Sequence, residues 1–233
     1  THGNWWAFVL VTAAIVAALR LLLGREWPTY AGLEISWVHA LLAIAAFALI
    51  ATASRMLLHH VYEAAGLKAN APRLEDQIGF LFQALNEEIL FRALMIGLLI
   101  QFVPSAPAIS LGTAFLFAAA HFLMYRITNP MHLALSSAAL ATLFFAGVAM
   151  NNLYFAFRHI GFSWALHAGW NVVWLPAAIY DAATNKQLHE PQIFDRVLGS
   201  PTVVASACAV AVLSFVLFAR RRSAPNVARQ FPK

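Results

Sequence analysis

The chain has 233 residues, of which 61% are hydrophobic and only 11% are charged, and its mean hydropathy is +0.70. Soluble domains carry about 25% charged residues, so this composition excludes an ordinary soluble domain and predicts an integral membrane protein with the lipid bilayer as a partner. The formal charge of +5 is concentrated near the C-terminus, in Arg220, Arg221, Arg222, Arg229 and Lys233. A basic terminal cluster favours a cytosolic C-terminus and gives no reason to expect a nucleic-acid partner.

Seven apolar segments are long enough to cross a bilayer, for which a helix needs about 20 residues. In chain order they are Trp5 to Leu23, Trp37 to Leu58, Ile78 to Val103, Ala108 to Met124, Leu133 to Phe157, Phe162 to Tyr180 and Thr202 to Ala219. Their apolar runs are continuous and do not alternate, which indicates helices. We therefore predict an all-α bundle of about seven transmembrane spans.

The polar connections divide this bundle into three parts. We predict an N-terminal part with two spans and a polar connection (1–76), a helical core (77–180), and a last part with a polar loop, one span and a basic cytosolic tail (181–233). An odd number of spans with the C-terminus inside places the N-terminus outside.

Two adjacent acids and an arginine interrupt the third span, at Glu87, Glu88 and Arg92. A charge near the bilayer centre costs about 2.5–3.5 kcal/mol on insertion scales, so these side chains are expected to face protein or trapped water. Arg92 follows Glu88 by four residues, which is the favourable order for a helical ion pair. Neighbouring helical residues point about 100° apart, so Glu87 is expected to point away from this ion pair and to lack a strong partner. Such a carboxylate can act as a general base. The alternative is a buried ion-pair cluster that only holds helices together.

Two further spans carry polar residues at helical spacing. His121 follows Phe117 by four residues, and Asn171 follows His167 by four, so each pair lies on one helix face. A histidine and an asparagine can donate two hydrogen bonds to one developing oxyanion. The alternative for each of these polar residues is hydrogen bonding between helices.

Together these residues resemble the three-motif signature of the CPBP family, the CAAX-processing and bacteriocin-processing intramembrane proteases. The motifs are Glu87-Glu88-x-x-x-Arg92, then Phe117-x-x-x-His121, then His167-x-x-x-Asn171. The stretch from Phe144 to His167 is also similar to the family's segment between its second and third motifs. The resemblance covers roughly residues 77–176.

The resemblance implies a glutamate-dependent endopeptidase without a cofactor, in which Glu87 and His121 activate water while His167 and Asn171 stabilise the oxyanion. Glu88 and Arg92 would orient Glu87 and the substrate, and Phe117 would be a supporting residue. The substrate would be a membrane-anchored or lipidated peptide cut near its C-terminus, in what we expect to be a prokaryotic inner membrane. If the enzyme used zinc, Glu87, His121 and His167 would be the ligands; Asn171 is a poor zinc ligand and favours the metal-free interpretation.

A second hypothesis is a non-catalytic membrane protein, either an immunity or scaffold factor or a proton-coupled transporter. Glutamate and histidine residues inside a membrane also form proton relays. Transporters are commonly built from two matching halves with broken helices, and this sequence has no such internal repeat.

Overall fold

A computed structural model of the chain describes residues 5–26, 28, 32, 36–71, 73–128, 135–175, 178–188 and 190–222. The helices are α1 (Trp5–Leu23), α2 (Trp37–Ala64), α3 (Leu74–Glu88), α4 (Gly97–Leu99), α5 (Ala106–Thr128), α6 (Ser137–Phe157), α7 (Ile160–Trp174), α8 (Glu190–Leu198) and α9 (Pro201–Arg222). A 3₁₀ turn (Gly24–Glu26) follows α1, and a π-helical segment (Ile89–Ile96) joins α3 to α4. Two short strands, β1 (Leu67–Ala69) and β2 (Ile179–Asp181), pair in antiparallel register.

The all-α membrane fold is confirmed. Among the described residues, α2, α5, α6 and α9 are long and apolar enough to cross a bilayer, and α1 contains the shorter apolar stretch Val9–Leu21. The charged third segment is divided between α3, the π-helical segment and α4, and α7 has 15 residues, fewer than the roughly 20 that a perpendicular span needs. A count of seven spans therefore stays a prediction, and the predicted basic tail from 223 onward lies outside the described residues.

Several predicted boundaries were wrong. The sixth segment was expected to stay helical to Tyr180, but α7 ends at Trp174, and Tyr180 lies in β2 opposite Lys68. The sequence explains the early end, because Pro176 lacks the N–H group that the next turn of the helix would need as a hydrogen-bond donor. The loop predicted from residue 181 onward contains the amphipathic helix α8.

Close helix packing around α6 and α7 depends on two glycines. A Cβ atom at Gly147 of α6 would lie 3.1 Å from Ala114 of α5, and one at Gly169 of α7 would lie 2.9 Å from Ile50 of α2. Small residues let helix backbones approach closely in membranes, where packing rather than the hydrophobic effect drives association. These contacts bring α5, α6, α7 and α2 together around the predicted core.

Apolar side chains form the core and also cover the outer helix faces, and a smaller set of polar side chains is buried within the bundle. Large apolar side chains on the outer helix faces are exposed, with Leu21 at 86% and Leu213 at 69%, while Asn151 and Asn152 of α6 are 1% and 2% exposed. A lipid-facing surface requires apolar side chains, and buried polar groups then need partners within the bundle. The buried polar side chains are therefore the candidates for a functional site.

Candidate active site

The predicted site residues come from three neighbouring parts of the bundle. Glu87 and Glu88 end α3, Arg92 follows in the π-helical segment, and the histidines are supplied by α5 and α7. Irregular π turns inside helices are frequent at functional sites. A cavity of about 990 Å³ is lined by five of the predicted residues, namely Glu87, Phe117, His121, His167 and Asn171.

Glu88 and Arg92 form the predicted ion pair behind this cavity. Arg92 Nη1 donates to Glu88 Oε1 at 3.0 Å, and both side chains are 0% exposed. Arg92 Nε also donates to Asn151 Oδ1 of α6 at 3.1 Å, and the guanidinium carbon lies 5.0 Å from the centre of the Phe117 ring. The arginine is thus held by a carboxylate, an amide and an aromatic face, as a buried cation must be.

Glu87 has a different environment. Its Oε1 accepts a hydrogen bond from Gln83 Nε2 at 3.2 Å. Its Oε2 has no hydrogen-bond partner among the described residues, but it lies 3.9 Å from His121 Nε2 and 3.7 Å from His167 Nε2. These separations are too long for direct hydrogen bonds and are of a length that one bridging water could span.

His121 is oriented by the backbone of its own helix. Its Nδ1 lies 2.9 Å from the carbonyl oxygen of Phe117, and because a carbonyl only accepts, Nδ1 carries the hydrogen. The other nitrogen, Nε2, then faces Glu87 with a lone pair when the ring is neutral. The Phe117 ring lies 4.5 Å from the His121 ring and 5.9 Å from the His167 ring, so Phe117 packs against both imidazoles.

His167 contacts Glu88 through its Nδ1 atom. His167 Nδ1 donates to Glu88 Oε1 at 2.9 Å, so Nε2 is directed toward Glu87. Glu88 was expected to orient Glu87, but adjacent side chains on a helix point about 100° apart. Glu88 contacts His167 and Arg92 in the structure, and its predicted role in orienting Glu87 stays a prediction.

Asn171 lies one turn beyond His167 on α7, is 6% exposed and lines the same cavity. The structure thus brings all four predicted catalytic residues to one cavity. No group of three or more His, Cys, Asp or Glu side chains is arranged to hold a metal ion in the part of the chain that the structure describes. The zinc interpretation of Glu87, His121 and His167 stays a prediction for metal analysis.

Two residues at the site were not predicted. Gln83 precedes Glu87 by four residues, so its position on the same helix face was readable from the sequence. No spacing in the sequence predicted a contact for Asn151. This residue interrupts an apolar span, but its bond to Arg92 depends on how α6 packs. Its Nδ2 also donates to the carbonyl oxygen of Ser110 and to Thr113 Oγ1, both at 2.8 Å.

Comparison with protein families matches residues 77–173 to the family model described as Type II CAAX prenyl endopeptidase Rce1-like. No curated protein and no solved structure matches the chain. The matched range contains all seven predicted site residues, so the family resemblance inferred from the three motifs is confirmed. At the level of the family, the match implies a membrane-embedded endopeptidase of the CAAX type and a membrane-anchored substrate.

Proposed function

We propose, from the Rce1-like character of residues 77–173, that this protein is a glutamate-dependent intramembrane endopeptidase. It would cut a membrane-anchored or lipidated substrate near its C-terminus. The observation that carries the proposal is the approach of His121 Nε2 and His167 Nε2 to the unpartnered Oε2 of Glu87 in the wall of a largely apolar cavity. Such a constellation of base, orienting groups and cavity is what water activation requires.

Glu87 is the general base in this mechanism. A water held between Glu87 Oε2 and His121 Nε2 attacks the carbonyl carbon of the scissile bond, and the carboxylate takes its proton. The new C–O bond gives a tetrahedral intermediate with a negative oxygen. When the C–N bond breaks, the proton passes from Glu87 to the leaving amine, and both products have formed without a covalent enzyme intermediate.

His167 and Asn171 stabilise the oxyanion. The Nδ1–H of His167 is directed to Glu88, so its Nε2 donates a hydrogen bond when the ring is protonated. The Glu88 carboxylate stabilises that cation through a charge-assisted bond. Glu87, Glu88, Arg92 and a protonated His167 then sum to zero charge, which limits the cost of placing charges in a membrane interior.

The cavity supports an apolar substrate. Its lining includes Leu57 of α2, Leu143 of α6 and Trp170 of α7, and its volume is about 990 Å³. Pockets of this kind bury most of a ligand's surface and use a few polar groups for orientation. We propose that the protein lies in a prokaryotic plasma membrane with seven spans and a cytosolic C-terminus.

The test is cleavage of a farnesylated C-terminal CAAX peptide, and of an unprenylated membrane-anchored peptide, by purified protein in proteoliposomes. We expect Glu87→Gln to lower kcat/KM by about 10²–10⁴-fold, which is the usual contribution of a general base. The matched control is Glu63→Gln, an acid on α2 whose side chain is 67% exposed, which leaves the rate unchanged.

Full activity in Glu87→Gln would contradict the proposal. Glu87-dependent proton flux without cleavage of either peptide would favour a transporter instead. Metal analysis of the purified protein, with chelator treatment during the assay, separates the zinc interpretation from the metal-free mechanism.

A further inference from the structure

We infer that Gln83 is a positioning residue for Glu87, and that its side-chain amide directs the second carboxylate oxygen toward the two imidazoles. This inference rests on the proposed function, because it assigns Gln83 a part in the same reaction. Gln83 lies outside the three motifs that carry the family resemblance.

The geometry links Gln83 to Glu87 directly. Gln83 Nε2 donates to Glu87 Oε1 at 3.2 Å, both residues lie on α3 four positions apart, and both line the cavity. A glutamate side chain has several rotatable bonds and loses considerable rotamer freedom when it is ordered. Fixing Oε1 restricts the carboxylate so that Oε2 stays on the side where His121 Nε2 and His167 Nε2 lie at 3.9 and 3.7 Å.

The chemical type of residue 83 also matters. The charged and titratable groups near Glu87 are Glu88 and Arg92 along its own segment, His121 from α5 and His167 from α7. Arg92 is committed to Glu88. A second cation at position 83 would pair with Glu87 and weaken it as a base, whereas a primary amide donates a hydrogen bond, carries no charge and does not titrate. Gln83 therefore holds the carboxylate without neutralising it.

Removing the donor tests this role. Gln83→Met keeps the side-chain length and loses the amide, so we expect kcat to fall about tenfold to hundredfold, as for loss of a hydrogen bond to a charged group, while KM changes little. The matched control is Gln77→Met. Gln77 lies on the same helix, and its Nε2 donates to the carbonyl oxygen of Val172 at 3.2 Å. That variant loses a comparable bond between α3 and α7 and should keep the wild-type kcat.

A second variant gives a signature that a merely structural role would not produce. In Gln83→Glu the new carboxyl group donates to Glu87 when it is protonated and repels Glu87 when both are ionised. The activity of Gln83→Glu relative to Gln83→Met should therefore rise as the pH falls. Unfolding temperatures measured for each variant separate loss of fold from loss of rate.

The outcomes are distinct. Wild-type cleavage that requires Glu87, combined with a Gln83→Met kcat equal to that of wild type, would overturn the positioning role and leave the proposed function intact. A pH-independent ratio between the two Gln83 variants would also overturn it. Absence of cleavage by the wild-type protein would overturn the proposed function, and the role of Gln83 with it.

Discussion

Glu87 and Glu88 are adjacent in the sequence but have opposite environments. Glu88 is 0% exposed and bonds Arg92 at 3.0 Å and His167 at 2.9 Å. The Glu87 side chain is 21% exposed and, among the residues that the structure describes, hydrogen-bonds only the neutral amide of Gln83. The helix itself produces this division, because one residue of separation turns the second side chain by about 100°. The arginine four residues after Glu88 thus selects which of the two acids is neutralised and which remains available as a base.

The difference extends beyond the two carboxylates. Behind Glu88, the polar chain continues through Arg92 and Asn151 to Ser110 and Thr113 of α5. In front of Glu87, the bundle opens into the cavity. A buried charge needs a partner of opposite charge and hydrogen bonds, whereas a base needs access to water and substrate. One helix end therefore supplies a buried, paired acid and the acid that we propose as the general base.

The largest expected effect on stability comes from leaving Glu88 without its cation. Arg92→Met should destabilise the protein by about 3–5 kcal/mol, because an uncompensated carboxylate stays buried. The double variant Glu88→Met/Arg92→Met removes both charges and should recover most of that loss, since apolar replacement of a buried pair is often neutral. The free energy of unfolding in mixed micelles measures both. Equal stability of Arg92→Met and wild type would show that the pair is not needed for the fold.

For a polar residue that lines the cavity, we expect a substitution to change the rate of cleavage more than the stability. Asn171→Ala should lower kcat by about 10²–10³-fold, the usual loss for one oxyanion donor, with little change in stability because Asn171 faces the cavity. The comparison variant is Asn152→Ala, a buried asparagine that accepts from Ser110 Oγ and donates to Ser214 Oγ. That change should lower the unfolding temperature and leave kcat nearly unchanged. Single-turnover kinetics and thermal unfolding of both variants test this expectation. If Asn171→Ala lowered the unfolding temperature while Asn152→Ala lowered kcat, Asn171 would not be an oxyanion donor.

Spacing within one helix was the most informative property of the sequence. The four-residue intervals predicted that Arg92 pairs with Glu88, as the structure has it, and that Phe117 and His121, like His167 and Asn171, lie on one helix face. In the structure Phe117 packs on His121, and Asn171 lines the same cavity as His167. These relations depend on helix geometry alone, so they follow from a local pattern without knowledge of the fold. The same rule would have identified Gln83.

Contacts between helices could not be predicted from residue spacing within one helix. The bond from His167 to Glu88 joins residues 79 positions apart, and the bond from Arg92 to Asn151 joins residues 59 positions apart. Each depends on the rotation and depth of helices that pack through small residues such as Gly147 against Ala114. After Glu88, the π-helical segment also changes the angular spacing of the side chains around the helix axis. The composition of the sequence gives no sign of this change.

The smallest expected effect tests whether the two sides are coupled. Asn151→Leu removes the acceptor for Arg92 Nε and two bonds to α5, so we expect a loss of about 1–3 kcal/mol of stability. Asn151→Asp keeps an oxygen for Arg92 but adds a charge and loses the donor to Ser110 and Thr113. If Arg92 positions His167 through Glu88, kcat falls in Asn151→Leu even at temperatures where the variant is fully folded. An unchanged kcat in folded Asn151→Leu would instead mean that the polar chain behind Glu88 only stabilises the bundle.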